Sequence, residues 1–301
     1  MQQVVRELQE ARVGEIRLNE PLAEYTTWKI GGPADALVVP DGKQGLVETL
    51  RILNRHGMPF TLLGRGSNML VTDKGVRGIV IKLGPGLDKY RFEGNLVYAG
   101  GAVSLITLSV RAGKEGLTGL EFAGGIPGTV GGAVFMNAGA HGSDMSRILK
   151  EAEIVLETGE TVRLQKDDLQ FAYRHSLLQE KTGIVTEAVL ELKFGDRKEI
   201  AAAMASYKDR RLKTQPLQQA TSGSTFRNPE NMYAAKLIEE AGLKGYRIGG
   251  AEVSRQHANF IINTGGATAK DVLELMNYMQ QKVKEKFGVE LIPEVLIVGE
   301  R

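Results

Sequence analysis

Two glycine-rich stretches have residue types that can hold a phosphate or a nucleotide. The first, GRGSN at positions 64–68 (the glycine loop), follows the apolar run 60–63. Glycine adopts positive φ and lets another group approach the main chain closely, so a strand followed by such a loop is a common phosphate seat. Gly-x-Gly is also common in tight turns, and taken alone the pattern favours the turn.

The second stretch, GGIPGTVGGAVFMNAGAHG at positions 124–142 (the glycine-rich segment), contains seven glycines. Apolar residues stand between them, which is unlike a polar, serine-rich linker. The mixture suits a wall that passes close to a large, flat, partly apolar ligand and offers N–H groups to its phosphates. A buried crossing of backbone segments would have the same composition, so both interpretations stay open.

Two familiar nucleotide motifs are absent. The Rossmann fingerprint needs glycines that open a helix and an acidic residue about 20 positions later. Here the glycine loop is followed by an apolar run at 69–71, a turn-like stretch at 72–75 and a strand-like run at 78–83, so it joins strand to strand. The chain also lacks the glycine and Gly-Lys-Ser/Thr spacing of a phosphate-binding P-loop.

The composition excludes several classes of protein. The chain of 301 residues has 38 basic and 36 acidic side chains, a balance that argues against a nucleic-acid partner. No apolar run reaches the ~18 residues of a membrane span, and the N-terminus lacks a cleavable leader, so we expect a soluble cytoplasmic protein without membrane insertion. The absence of cysteine excludes disulfides and thiolate chemistry.

No metal site is predicted, because the four histidines lack metal-ligand spacing: His56, His141, His175 and His257. The oligomeric state is left open, and a monomer is compatible with the sequence. The basic run Lys208, Arg210, Arg211 and Lys213 could grip a diphosphate, although such a run is more commonly a solvated helix face.

The elements that must position these stretches indicate an α+β protein. We expect strands at 34–40, 60–64, 78–83, 90–92, 96–98, 153–157, 161–164, 183–194, 258–262 and 294–298. We expect helices at 44–56, 103–112, 199–213, 231–241 and 268–286, the last with a capping-box-like Thr-x-x-Asp start. The predicted domains are 1–83, 84–198 and 199–290, with the strand at 291–301 returning to the second.

Three further motifs complete a recognisable set. They are FAYRHS at 171–176, SGSTFRNP at 222–229 (the serine segment) and LIPEV at 291–295. In this order after the two glycine stretches, they resemble the signature of the UDP-N-acetylenolpyruvoylglucosamine reductase family, also called UDP-N-acetylmuramate dehydrogenases. The resemblance runs from Thr27 to Glu300. It implies a flavoenzyme of peptidoglycan synthesis with a two-part FAD-binding region of the vanillyl-alcohol-oxidase (PCMH) type and a C-terminal α+β substrate-binding domain.

The resemblance also implies tightly bound, non-covalent FAD, with NADPH as reductant. The residues that it assigns to FAD lie in the two glycine stretches: Gly64, Arg65, Gly66, Ser67, Asn68, Gly124, Gly125, Ile126, Gly128, Thr129, Gly132, Asn137 and Ala138. Those that it assigns to the substrate, UDP-N-acetylglucosamine enolpyruvate, are Tyr173, Arg174, Arg227, Asn228 and Gln256.

Three residues are expected to be catalytic. Hydride passes from reduced FAD to the alkene carbon, and Ser224 gives a proton to the carbon alpha to the carboxylate. Before that proton is delivered, Arg174 and Glu294 stabilise the enolate, because a guanidinium offers a planar fork and an acid, if it is itself protonated, can share the developing charge. Outside this context Ser224 is more commonly a turn residue, and no histidine accompanies it to suggest a hydrolase triad.

Two departures from the family pattern are visible. Arg227 stands where many relatives have lysine. The tyrosine-bearing insertion of longer members is missing after position 194, which indicates the shorter subclass and leaves the residue that covers the substrate undetermined. Two other functions stay open: an FAD-dependent oxidase of the same fold, and a non-catalytic nucleotide-sugar binding protein.

Overall fold

The computed structural model describes residues 1–300, which divide into two compact units. The first unit comprises Met1–Leu18, Ala36–Gly64 and Gly78–Arg210. The second comprises Asn19–Asp35, Arg65–Arg77 and the chain from Arg211 onward. Both units are discontinuous in sequence, and the three predicted domain ranges stay a prediction.

Helices and strands occur in both units, which confirms the predicted α+β class. In the described residues the α-helices are α1 (Gln2–Glu10), α2 (Gly42–Arg55), α3 (Leu105–Lys114), α4 (Val130–Met136), α5 (Arg197–Thr214), α6 (Ala234–Glu240) and α7 (Ala269–Phe287). The strands are β1 (Gly14–Pro21), β2 (Pro33–Pro40), β3 (Phe60–Leu63), β4 (Met69–Val71), β5 (Val76–Lys82), β6 (Tyr90–Glu93), β7 (Leu96–Gly100), β8 (Leu117–Thr118), β9 (Gly139–Ala140), β10 (Ser143–Asp144), β11 (Leu149–Leu156), β12 (Thr161–Gln165), β13 (Gly183–Glu191), β14 (Lys193–Phe194), β15 (Ala220–Ser224), β16 (Arg247–Ile248), β17 (Ala251–Val253), β18 (Phe260–Asn263) and β19 (Leu296–Val298).

The first unit is built around an antiparallel sheet in the order β12-β11-β13-β7-β6. Its central strand β13 is buried along most of its length, as its run of β-branched and apolar residues requires. Helix α3 packs on the core formed by this sheet through Leu105, Leu108 and Ala112, and it begins at an N-cap serine, Ser104. Strands β3 and β5 pair in parallel, and the chain that connects them contains the glycine loop and strand β4.

The second unit contains an antiparallel sheet in the order β15-β18-β17-β16 together with helices α6 and α7. Helix α7 buries a stripe that includes Val272, Leu275 and Met279. The predicted capping box at its start is present, because Thr268 accepts from the Asp271 N–H and Asp271 accepts from the Thr268 N–H.

Some predicted elements differ from the observed ones. The strand expected at 183–194 is interrupted after Glu191 and continues as β14, which pairs with β8. The last strand, β19, pairs in parallel with β4 inside the predicted range 1–83, rather than with a strand of 84–198. Helix α4 inside the glycine-rich segment was not predicted, because glycine has a low helix propensity.

The helices of the described residues give no membrane span, since none is both long and apolar enough. Helix α5 begins two residues after strand β14, so the structure has no inserted segment at the place where longer members of the resembled family carry one.

We predict that Asp73 supports the start of helix α7. Its two carboxylate oxygens accept from the N–H groups of Ala269 at 2.8 Å and Lys270 at 2.9 Å. Asp73→Ala removes both acceptors and should lower the free energy of unfolding by about 1–2 kcal/mol in urea denaturation. Glu274→Ala, on the exposed side of the same helix, should cost less than about 0.5 kcal/mol. Equal losses for the two variants would contradict the capping role.

Candidate functional site

The glycine-rich segment is held in the first unit by main-chain hydrogen bonds. Leu105 N donates to Gly128 O at 3.1 Å, Val130 N to Val103 O at 2.9 Å, and Gly131 N to Gly101 O at 2.9 Å. The Thr129 side chain accepts from Gly132 N at 3.2 Å and caps the short helix α4. The segment is therefore fixed to the loop that precedes helix α3.

Glycine occurs at different positions of this segment for different structural reasons. A Cβ on Gly131 would lie 3.0 Å from Gly101 O, and one on Gly139 would lie 2.6 Å from Ser143 O, so these two positions are close backbone crossings. Gly132 is exposed, and a Cβ there would meet only Thr129 Oγ1, at 3.4 Å. Backbone packing therefore explains part of the segment, whereas exposed Gly132 stays available to a ligand.

The FAYRHS motif docks on the same segment. Asn137, 3% exposed and in the left-handed conformation, donates from Nδ2 to Ala172 O at 2.9 Å and accepts from Ser146 N at 3.0 Å. Arg174 also has a positive φ of 55°, and its Nη2 donates to Gly139 O at 3.0 Å. The Asn137 side chain thus bonds the protein's own main chain, and any contact it makes with FAD stays a prediction.

Helix α5 packs on both ends of the glycine-rich segment. The ring of Tyr207 stacks on the ring of His141 with centroids 4.0 Å apart, and a Cβ on Gly124 would lie 3.1 Å from the Met204 methyl group. Three members of the basic run on this helix are exposed: Lys208, Arg210 and Lys213. Arg211 is different, because its burial lowers its pKa and its Nε donates to Gln215 Oε1 at 2.9 Å.

The glycine loop divides between the units, with Gly64 in the first and Arg65–Asn68 in the second. In the first unit a Cβ on Gly64 would lie 3.2 Å from Thr129 Oγ1, so two predicted FAD-binding residues are neighbours. In the second unit Gly66 is buried with a φ of 60°, and its carbonyl accepts from Thr27 N at 3.2 Å. The loop is a turn that only glycine can make at position 66.

The second unit brings three sequence motifs together. Asn68 of the glycine loop donates from Nδ2 to Glu294 O at 3.2 Å and accepts from Leu296 N at 3.0 Å. Glu294 N donates to Thr225 O at 2.9 Å, one residue after Ser224. The structure therefore joins the glycine loop, the serine segment and the LIPEV motif through their main chains, with Ser224 and Glu294 both half-buried.

Buried polar atoms without partners are concentrated on the serine segment. In residues 1–300, the buried side-chain atoms that lack a hydrogen bond are Ser222 Oγ, Thr225 Oγ1 and Arg227 Nε. Native proteins leave few buried polar atoms unpaired, so such atoms indicate where a ligand could bind. Their position within six consecutive residues around Ser224 marks this segment as a candidate binding site.

The other predicted substrate contacts are surface residues. Tyr173 is 52% exposed, and Gln256 is exposed with its Nε2 bonded to Leu212 O at 3.1 Å. Asn228 is also exposed, and its Oδ1 accepts from Ala234 N at 3.1 Å. Ala234 is the first residue of helix α6, which was predicted to begin at 231. No hydrogen bond in the described part of the chain joins Gln256 to the serine segment.

Sequence analysis did not identify Asn259. Its side chain bonds both main-chain groups of Phe226, at 3.0 Å to the nitrogen and 2.8 Å to the oxygen. Next to it, His257 Nδ1 accepts from Asn259 N at 3.3 Å, and burial followed by the charge of Lys244 lowers the pKa of His257. The available signal was a single amide within the apolar run 258–262.

The chain is similar over its full length to reductases of known family. It is 51% identical to the UDP-N-acetylenolpyruvoylglucosamine reductase of Bacillus licheniformis and 53% identical to that of Anoxybacillus flavithermus, with 100% of each chain covered. The chain belongs to the UDP-N-acetylenolpyruvoylglucosamine reductase family. Its residues 215–298 match the family model of the C-terminal domain of these reductases, and residues 34–165 match an FAD binding domain.

Solved structures agree with this membership. The crystal structure of the UDP-N-acetylenolpyruvylglucosamine reductase from Thermus caldophilus has a TM-score of 0.81 and 38% identity, covering 94% of this chain and 98% of that one. A variant of berberine bridge enzyme has a TM-score of 0.52 at 14% identity, covering 64% of this chain and 44% of that one, and so shows the fold alone. The predicted fold, an FAD-binding region of the vanillyl-alcohol-oxidase type with a C-terminal α+β domain, is confirmed.

In this family member we predict that Gly66 cannot be replaced. A Cβ on Gly66 would lie 2.3 Å from Tyr25 O, whereas Gly94, with a similar φ of 62°, has nothing within 4 Å. Gly94→Ala should cost only the roughly 1–2 kcal/mol of left-handed strain. Gly66→Ala should cost about 1–3 kcal/mol more because of the clash, measured by urea denaturation, and should lower the flavin content of the purified protein.

Proposed function

We propose that the chain reduces UDP-N-acetylglucosamine enolpyruvate to UDP-N-acetylmuramate for peptidoglycan synthesis in the cytoplasm, with FAD as cofactor and NADPH as reductant. Full-length family membership supports the reductase activity. The structural observation that carries the proposal is that Glu294 is bonded through its N–H to Thr225 O, next to Ser224, and through its carbonyl to Asn68 Nδ2. These bonds lie beside the unpaired atoms of the serine segment.

The residues of the two glycine stretches fit the role of holding FAD. When bound, FAD supplies the hydride that reduces the alkene. Exposed Gly132 has no side chain to exclude a ligand, and buried Gly66 keeps Arg65–Asn68 in a fixed turn. We assign FAD contacts to the same residues as the family pattern does, with main-chain N–H groups as the donors to its phosphates.

Ser224 is proposed to protonate the carbon alpha to the carboxylate. It is half-buried at the end of β15, directly after Gly223, whose φ of 77° accompanies an irregular register between Thr221 and Ser224. Such a bulge re-aims a side chain away from the regular ladder. A hydroxyl is a weak acid, but an enolate is a strong enough base to accept its proton.

Glu294 and Arg174 are proposed to stabilise the negative charge that develops on the substrate carboxylate. The main chain of Glu294 is held on both sides, by Thr225 O and by Asn68 Nδ2. In the first unit, the Arg174 guanidinium is oriented by Gly139 O at 3.0 Å. Groups that are already oriented cost little reorganisation when the charge appears, and this favours the transition state over the bound substrate.

Arg227, Asn228, Gln256 and Tyr173 are proposed to bind the rest of the substrate. The buried Nε of Arg227 lacks a partner among the described residues, and a guanidinium is well suited to the oxygens of a diphosphate. The lysine of many relatives would supply charge but not the same paired donors. The exposed ring of Tyr173 offers a face for stacking.

The experiment that tests the proposal is an absorption spectrum of the purified protein. A yellow protein that loses its flavin absorbance with NADPH without air, and regains it on addition of the enolpyruvyl substrate, has the proposed activity. Rapid recovery with oxygen and none with the substrate would instead indicate an oxidase. A colourless protein that does not take up FAD would indicate a non-catalytic binding protein.

We predict that Ser224→Ala separates the two halves of the reaction. The NADPH half requires no proton from Ser224, so loss of flavin absorbance should proceed at nearly the normal rate. Recovery of the absorbance with the substrate should slow by about 10²–10⁴-fold, the range of a lost general acid. Stopped-flow absorbance follows both halves, and Ser206→Ala on exposed helix α5 is the control. Normal recovery in the Ser224 variant would show that this serine has no catalytic role and is only a turn residue.

A further inference from the structure

Asn259 is a buried amide whose hydrogen bonds all concern the serine segment or its own turn. It is 3% exposed and lies directly before strand β18. Its Oδ1 accepts from Phe226 N at 3.0 Å, and its Nδ2 donates to Phe226 O at 2.8 Å. Its main-chain oxygen accepts from Thr225 N at 2.8 Å. Asn259 therefore bonds two consecutive residues that follow Ser224.

The amide replaces a sheet partner at the point where the ladder ends. Strand β15 pairs with β18 through Ser224 and Phe260, after the irregular register at Gly223. Beyond Ser224, the Asn259 side chain supplies Phe226 with one donor and one acceptor, as a neighbouring strand would. A carboxamide presents a donor and an acceptor side by side in one plane, and glutamine is one methylene longer than asparagine.

The opposite side of the serine segment is bonded to the LIPEV motif. Thr225 O accepts from Glu294 N at 2.9 Å, Arg227 N donates to Ile292 O at 2.8 Å, and Phe226 forms a bridge with Pro293. Thr225–Arg227 are therefore bonded to Asn259 on one side and to 292–294 on the other. A shift of Thr225 or Phe226 would displace both Ser224 and the main chain of Glu294.

We infer that Asn259 is a positioning residue for Ser224 and Glu294, an inference that rests on the proposed function of these two residues. Asn259 has no part in binding the substrate. It keeps the serine segment in register so that the hydroxyl and the carboxyl group have a fixed separation. A displacement of about 1 Å at a reacting group can cost on the order of 10²-fold in rate.

Asn263, at the end of strand β18, offers a matched control. Its Nδ2 donates to Trp28 O at 3.0 Å, and its Oδ1 accepts from Gly265 N at 2.9 Å and Ala267 N at 3.1 Å. The chemistry is the same as at Asn259, with an amide bonded to main-chain groups, but the bonds lead away from the serine segment. Asn263→Ala and Asn259→Ala should therefore differ in their effect on catalysis even where they destabilise the protein similarly.

The first test compares the two half-reactions in the FAD-loaded protein. Asn259→Ala should slow recovery of flavin absorbance with saturating enolpyruvyl substrate by about 10–10²-fold, while the NADPH half and the substrate Kd change by less than about 3-fold. Asn263→Ala should leave the ratio of the two rates unchanged. Asn259→Asp keeps the shape of the side chain but places a second acceptor against Phe226 O, so it should also slow recovery. This variant provides the test if Asn259→Ala does not fold.

The second test needs no activity. Hydrogen exchange at the amides of Thr225, Phe226 and Glu294 should be faster in Asn259→Ala than in Asn263→Ala. Only Asn259→Ala removes the acceptor of Phe226 N–H, and the loss of both side-chain bonds to Phe226 loosens the neighbouring main-chain bonds of Thr225 and Glu294. Unchanged exchange at these amides, or normal recovery with substrate in both Asn259 variants, would overturn the inference. A wild-type protein that does not reduce the enolpyruvyl substrate would refute the proposed function instead, and the exchange measurement would still decide whether Asn259 holds the segment.

Discussion

The main chain of Thr225 is the contact on which the candidate site of the second unit depends. Its N–H donates to Asn259 O at 2.8 Å, and its carbonyl accepts from Glu294 N at 2.9 Å. Thr225 thus bonds both Asn259, which directly precedes strand β18, and Glu294 of the LIPEV motif, although both are distant from it in sequence. Because main-chain bonds depend little on side-chain rotamers, they restrain the positions of Ser224 and Glu294 more closely than a side-chain contact would.

In each unit a buried asparagine side chain bonds main-chain groups of a motif distant in sequence. In the second unit this residue is Asn259, which bonds Phe226. In the first unit Asn137 bonds Ala172 O and Ser146 N, and so ties the FAYRHS turn to the glycine-rich segment. Both asparagines are 3% exposed, and the side-chain amide of each one forms hydrogen bonds with main-chain groups. Buried amides of this kind are costly when one partner is lost, so each of them makes one backbone geometry strongly preferred. The two glycine stretches alone would not specify such geometry.

The sequence was informative where the determining interaction is local. The capping box of helix α7 and the strands at 60–64 and 78–83 were predicted, because the residues that decide them lie within a few positions of each other. The reason for Gly66 was hidden, because the atom that excludes a side chain there is Tyr25 O, far away in the chain. Asn259 was missed for a similar reason. The sequence shows a polar residue within an apolar run, but it does not show that the side chain of this residue bonds the main chain of Phe226. The family motifs identified Ser224 and Glu294, whereas their mutual support needed the structure.

The parallel pairing of β19 with β4 has a consequence for biosynthesis. Residues 69–71 leave the ribosome well before their partners at 296–298 are made. The second unit also takes segments from 19–35 and 65–77, which must wait for the chain beyond Arg211. All segments of the first unit, in contrast, have been synthesised once Arg210 is complete. The order of translation therefore lets the first unit assemble while segments 19–35 and 65–77 of the second unit still wait for their partners.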